Sequence, residues 1–389
     1  MPDPVPYGRH EVDPHDIDAV VNVLRSDFLT QGPVVPAFEA EVAGYCGALR
    51  AVAVNSATSA LHLACLALGV GPGDRVWTTP NTFVASANCA LYCGAEVDFV
   101  DIDPRTWNMC VDRLADKLEL AKQAGRLPKV VIPVHFSGEP CDMRAIADLA
   151  ARYGFAVIED ASHAIGARYL GEAVGICRYS DITVFSFHPV KIVTSGEGGM
   201  ALTNRNDLAD RMELLRSHGI TRDPGQMTHV PDGPWYYQQI ALGFNYRMTD
   251  IQAALGLSQM RRLDEFVARR NALADLYDAA LERLPVMRPQ RDARNRSSVH
   301  LYVVRIESAV GSALRDKVFD EMRSQGIGVA LHYIPVHTQP YFQALGFAPG
   351  MFPEAERYYR SAVSLPLFPA LDEATQDRIV RALADALDA

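Results

Sequence analysis

The sequence predicts an α/β protein, with a mostly parallel sheet covered by helices on both faces and a smaller α+β unit after it. Two observations carry this. Short apolar runs recur between residues 51 and 203, most of them followed by a helix-forming stretch, a pattern that builds parallel sheets. Beyond about residue 264 the alternation gives way to long helices with isolated strands, so the division is placed as 1–264 and 265–389. A chain of 389 residues has room for one large or two medium domains.

The N-terminal stretch is polar and Pro-rich. Residues 13–24 and 38–45 have helical apolar spacing, separated by a loop at 26–33 (SDFLTQGP). Strands are expected at 51–54, 76–80, 96–103, 129–136, 155–160, 181–187 and 198–203. Helices are expected at 59–69, 82–93, 111–124 and 143–153, three of them stopped by Gly69, Gly125 and Gly154. Residues 220–248 are Gly/Pro-rich around an aromatic cluster, Trp235 to Tyr237, and too long for a plain connection. Helices follow at 249–263 and 265–284, and then a polar linker at 285–296. Strands at 300–306 and 327–331 flank a helix at 314–325, and helices at 354–361 and 373–387 close the chain.

Composition excludes several classes. The net charge of −10 argues against nucleic-acid binding and gives no polybasic membrane signal. No apolar run is long enough to span a bilayer, and the N-terminus lacks the basic-then-apolar layout of a signal peptide. Seven cysteines without a CxxC pair read as reduced, buried thiols, so a cytoplasmic location is expected. Eleven histidines include no HxxxH or HExxH, so no metal is expected.

Ligands of parallel sheets bind beyond the carboxyl ends of the strands. That rule selects 56–59, 81–83, 135–138, 160–163 and 188–191. Lys191 stands out among five lysines. The other four fit solvated faces, whereas Lys191 lies between Phe185, Phe187, Val190, Ile192 and Val193. Apolar surroundings disfavour the ammonium form and free the amine as nucleophile or base; the alternative is a lysine that snorkels from a strand end. The NSATSA run, with Ala57, Thr58 and Ser59, opens a helix after a strand, which suits a phosphate or simply a capped helix. Asp160 is placed to hold a proton on a ring nitrogen, or to cap a helix. His163 could bond a cofactor oxygen, Phe83 could stack on a flat ring, and Ser186 could add a phosphate contact; each also has an ordinary structural role. Together they form the set that pyridoxal 5′-phosphate needs. A nucleotide-dependent dehydrogenase would want a GxGxxG after an early strand, and there is none.

The runs FSFHPVK…GEGG, EDASHAIGA and GFNYRMTDIQAAL resemble the DegT/StrS-type nucleotide-sugar aminotransferases, which are fold type I pyridoxal-phosphate enzymes built on a large seven-stranded-type sheet. VPYGRH, SDFLTQGPVV, TTPNTFVASANCALYCGA, LRSHGITRD and LHYIPVHTQPYF are similar to the group of UDP-4-amino-4,6-dideoxy-N-acetyl-β-L-altrosamine transaminases of pseudaminic acid biosynthesis. The resemblance implies that Lys191 bears the cofactor, Asp160 holds the pyridine nitrogen, and His163 lies near the ring oxygen. It also implies that Phe83 stacks on the ring, and that Ala57, Thr58 and Ser186 bind the phosphate. Asn245 is expected to reach the phosphate from a second subunit, which implies a homodimer. Tyr7, Asp27, Phe28, Leu29, Thr30, His332, Tyr333, Ile334 and Pro335 match segments that shape a sugar-nucleotide site, with Arg247 as an anion partner. The implied reaction moves an amino group from L-glutamate to the 4-keto carbon of a UDP-linked sugar. Bacillosamine-type and 4-amino-arabinose-type sugars, or a non-catalytic cofactor-binding protein, are the alternatives.

Overall fold

The computed structural model describes residues 3–306 and 312–388. All seven expected strands of the sheet are present: β1 (Arg50–Val54), β2 (Arg75–Thr78), β3 (Glu96–Phe99), β4 (Val130–Val131), β5 (Ala156–Asp160), β6 (Ile182–Ser186) and β7 (Gly199–Thr203). Their order across the sheet is β1-β7-β6-β5-β4-β2-β3. The five strands from β6 to β3 run parallel, while β7 is antiparallel to both β6 and β1. The carboxyl ends of β5 and β6 therefore open on the same edge.

Strand alternation sorts the core. On β1, Val52 and Val54 join one apolar cluster, with Leu61, Ile158 and Val184. Ala51 and Ala53 face the other way, into a cluster with Phe38, Phe185, Phe187 and Val267. Helices α3 (Ala57–Ala67) and α4 (Ala85–Tyr92) cover the first side. On the second lie helix α2 (Val34–Cys46) and helix α8 (Asp250–Met260), as well as the start of α9 (Leu263–Ala280). Helix α1 (Pro14–Leu24) packs on α8. Helices α5 (Val111–Gln123) and α6 (Met143–Tyr153) cover Trp77, Val131 and Val157.

The C-terminal unit has its own core. Strand β8 (Tyr302–Arg305) pairs antiparallel with β9 (Ala362–Leu365). Helices α10 (Ala313–Ser324) and α11 (Glu373–Asp388) pack there, together with Tyr277 and Leu281. Helix α9 joins the units, because Phe266 and Val267 belong to the large core while Leu273, Ala274 and Tyr277 belong to the small one. Val5 is also built into the small unit, through Val5 N–H to Gly326 O at 2.8 Å and Gly328 N–H to Val5 O at 2.7 Å.

Some expectations fail. Residues 327–331 form no strand; Ile327 and Ala330 make only single bridges, to Val5 and Ser364. Residues 96–103 and 129–136 pair over far shorter spans, Glu96–Phe99 and Val130–Val131. Helix α7 (Asn206–Arg216) and β9 were not foreseen. Helix α7 is mostly polar, with Leu208, Ala209, Met212 and Leu215 as its buried stripe. No described helix is long and apolar enough to cross a membrane.

Candidate active site

A cleft of about 300 Å³ opens beyond β5 and β6. Ala57, Thr58, Phe83, Asp160, His163, Ser186 and Lys191 all line it, so one sheet edge brings together residues spread over some 135 positions. Tyr7, His332 and Tyr333 line it from the other side.

Lys191 sits in the turn after β6, its amide bonded to His188 O at 2.9 Å. Ile192 and Val193 beside it are buried. The loss of water around its amine lowers the pKa to about 8, against the opposing pull of Asp160. The amine is thus neutral over a range where an ordinary lysine is charged.

Asp160 ends β5 and is buried. Its Oδ1 accepts the Ser162 amide at 3.1 Å and the Ser162 hydroxyl at 2.6 Å, and its Oδ2 accepts the Ser86 hydroxyl at 2.6 Å. These donors favour a carboxylate facing the cleft.

The N-terminus of α3 abuts Ser186. Ser56 caps the helix by accepting the Ser59 amide at 3.1 Å. Gly199, the register partner of Ser186, makes the close approach possible: a Cβ there would stand 2.4 Å from Ala57 N and Ser56 C. The free amides at this helix start, with Thr58 and Ser186, form an anion cradle. Ser59 differs from expectation. Its hydroxyl donates to Asn55 Oδ1 at 2.7 Å and it does not line the cleft, so it serves the cap.

His163 is buried, with Nε2 3.1 Å from the Tyr333 hydroxyl and a buried Nδ1 that has no partner. Burial first, then Lys191 and His332, hold its pKa well below the ordinary histidine value. A neutral ring with an unsatisfied nitrogen beside Lys191 fits a cofactor oxygen. The Phe83 ring is 59% exposed and 6.3 Å from Tyr333, so it is a cleft wall and not core. His332 bonds Ser364 Oγ through Nδ1 at 2.9 Å, packs 5.5 Å from Tyr7, and is pushed down to about 4 by burial and Lys191.

The rest of the expected set lies elsewhere in a single chain. Asp27 and Phe28 line a separate hollow against α1 and α8. Leu29 O accepts the Asp250 amide at 3.0 Å, and Thr30 bridges Thr249. Asn245 is exposed and bridges Ser217; Arg247 is half-buried. Ile334 is exposed, and neither it nor Pro335 lines the cleft. The 135–138 segment also turns away: His135 Nδ1 accepts the Cys141 amide and Nε2 bonds Glu159 at 2.7 Å.

Three cleft or near-cleft residues were missed: Ser86, His300 and Glu197. Ser86 is the second residue of α4, among small residues where nothing in sequence marks it. His300 comes from the small unit, with its ring 4.5 Å from His163. It is held there because His300 N–H donates to Ser137 O at 2.8 Å and Ser298 Oγ donates to His163 O at 2.8 Å. Glu197 lies in the GEGG run and lines the cleft. The anion cradle, the lysine with its pKa lowered to about 8, the inward carboxylate and the orphan His163 nitrogen together fit pyridoxal phosphate.

Residues 10–384 match the DegT/DnrJ/EryC1/StrS aminotransferase family. The spore coat polysaccharide biosynthesis protein SpsC of Bacillus subtilis is 38% identical over 384 residues, 98% of this chain and 96% of that one. GDP-perosamine synthase of Caulobacter vibrioides is 38% identical over 379 residues, 97% and 96% of the two chains. Among solved structures, PseC of Helicobacter pylori, an aminotransferase of pseudaminic acid biosynthesis, superposes with a TM-score of 0.90 at 28% identity, covering 99% of this chain and 100% of that one.

Proposed function

We propose, for a chain that belongs to the DegT/DnrJ/EryC1/StrS aminotransferase family, that it aminates the 4-keto carbon of a nucleotide-linked 6-deoxy sugar. The chain is a pyridoxal-phosphate-dependent sugar aminotransferase of fold type I. The proposed donor is L-glutamate. The proposed acceptor is UDP-2-acetamido-2,6-dideoxy-β-L-arabino-hex-4-ulose, giving UDP-4-amino-4,6-dideoxy-N-acetyl-β-L-altrosamine. The observation that carries the reading is the Lys191 amine, lowered to about 8, in one cleft with Asp160 and the α3 N-terminus.

Bound pyridoxal phosphate supplies an electron sink for the bonds of the amino-bearing carbon. The chain does the rest. The first amides of α3, Thr58 and Ser186 hold the phosphate. Asp160 keeps a proton on the ring nitrogen, and His163 faces the ring oxygen. Phe83 covers a ring face. The Lys191 Nζ removes a proton from the donor's α-carbon and, in the second half-reaction, delivers one to carbon 4 of the sugar. L-glutamate leaves as 2-oxoglutarate before the sugar is aminated, a ping-pong order. Tyr7, His332 and Tyr333 shape the sugar end.

The remaining expected residues belong to a homodimer in this reading. Asn245 of a second copy reaches the phosphate, and Arg247, the 27–30 loop, Ile334 and Pro335 complete the nucleotide site. Exposed Phe28, Leu29, Trp235 and Leu242 support such a contact. The division into 1–264 and 265–389 is proposed with α9 as the joint, and the cytoplasm as the location, where the seven free thiols stay reduced.

The identity of 38% to GDP-perosamine synthase, against 28% to PseC, favours a second reading in which the sugar carries GDP. An L-glutamate-driven assay on UDP-linked L-arabino and D-xylo 4-keto sugars and a GDP-linked 4-keto-6-deoxy sugar decides. A 4-amino product from the UDP-L-arabino substrate alone supports the first reading. Turnover of only the D-xylo or the GDP sugar overturns it.

A further inference from the structure

We propose that Ser86, backed by Thr82, is a positioning residue that sets the charge Asp160 presents to the cofactor ring; this rests on the reading of Asp160 above. Asp160 Oδ1 accepts twice from Ser162, at 3.1 Å and 2.6 Å, and Oδ2 accepts from the Ser86 hydroxyl at 2.6 Å. A carboxylate has about four acceptor positions, so one is left, on Oδ2, the oxygen that Ser86 holds. Ser86 has a single hydroxyl proton, and it goes to Asp160. The 2.7 Å contact between Thr82 Oγ1 and Ser86 Oγ is therefore donated by Thr82. The chain Thr82→Ser86→Asp160 runs in one direction, fully buried at Ser86 and almost so at Thr82. Successive hydrogen bonds of the same sense polarise one another.

The consequence follows from the location. Helix α4 starts at Ala85, directly after the cleft-lining Thr82 and Phe83. Its first turn thus supplies both a cleft wall and the hydroxyl that stabilises the Asp160 anion. Without that hydroxyl, the Asp160 anion loses one of its three donors, and a bound cofactor's ring nitrogen would keep less positive charge. A less positive ring would raise the pH at which the visible band of the loaded protein changes. The titratable groups facing Asp160 are Lys191 and Tyr333, and both remain in place.

The test is a pH titration of the visible band that pyridoxal phosphate acquires on loading into the full-length protein. Ser86→Ala is expected to raise the midpoint by roughly half a pH unit to one unit. Thr82→Val should shift it the same way by less, and Thr82→Ser, which keeps the hydroxyl, should not shift it. Melting temperatures of all three variants separate the effect from misfolding. If Ser86→Ala does not fold, the contrast between Thr82→Val and Thr82→Ser carries the decision. Loaded variants with the wild-type midpoint overturn the proposal. A wild-type protein that forms no borohydride-fixable band overturns instead the underlying reading of the site.

Discussion

Glu159 and Asp160 are neighbours at the end of β5, both buried, yet the pleat points them to opposite sides. Glu159 is enclosed by protein donors: His135 Nε2 at 2.7 Å, Thr183 Oγ1 at 3.1 Å, and Ser180 Oγ. His135 Nδ1 accepts the Cys141 amide, so its ring is the neutral tautomer that donates through Nε2, and Glu159 carries the charge. Burial would raise the Glu159 pKa, but the hydrogen bonds from His135, Ser180 and Thr183 outweigh it and hold it below the usual value. Asp160 has its donors too, but one acceptor position opens on the cleft beside Lys191. Each accepts three hydrogen bonds, but Glu159 is walled in by protein and holds structure together, whereas the acceptor position left on Asp160 faces the cleft and can do chemistry.

Substitutions at or around either carboxylate separate the two roles. The largest effect is expected from Lys191→Ala, which should slow transamination about 10³-fold or more and abolish borohydride-fixable cofactor while leaving the unfolding midpoint near wild type. Glu159→Ala should do the reverse. Losing the acceptor of three buried donors should cost about 3 kcal/mol or more in denaturant unfolding, with chemistry in the folded fraction little changed. If Glu159→Ala abolished activity without loss of stability, the division of roles would be wrong. Gly199→Ala places a methyl against Ala57 N and Ser56 C. Overpacking of this kind costs about 1–3 kcal/mol, so cofactor affinity should fall roughly 10- to 100-fold by equilibrium dialysis.

The smaller effects concern pH. The Lys191 pKa is lowered to about 8, so the neutral amine grows as pH rises through 8. The rate at which apoprotein captures pyridoxal phosphate, followed by stopped-flow absorbance, should climb up to about pH 8 and then level off. A continued climb toward the ordinary lysine range would show that burial does not tune this amine. Glu159 has the opposite dependence. Its folded pKa is depressed, so its contribution to stability is full above the unfolded carboxylate value and is lost as pH falls through the depressed one. Wild-type stability should drop in that acid window, and the drop should shrink in Glu159→Gln.

Much of this was legible in the sequence alone. Strand and helix alternate along β1 to β7, and the strands lean on apolar residues that only a covered sheet can bury. The strand-end rule then picked out Ala57, Thr58, Phe83, Asp160, His163 and Lys191, because chain direction and hydrogen-bond pattern place strand ends together. Where local sequence carries no such signal, reading failed. The first turn of α4 hides Ser86 among small residues, and α7 shows too little apolar stripe to stand out. Residues 327–331 look like a strand, yet their neighbours Val5 and Ser364 offer only single bridges.

The tertiary structure decided which side each polar group faces and which distant segment completes each site. It turned His135 toward Glu159, gave Ser59 to the helix cap, and brought His300, His332 and Tyr333 from the small unit over Lys191. The physical reason is that periodicity is a property of neighbours along the chain. Burial, desolvation of an amine and the surroundings of a carboxylate depend on what the rest of the chain puts within about 3 Å of them.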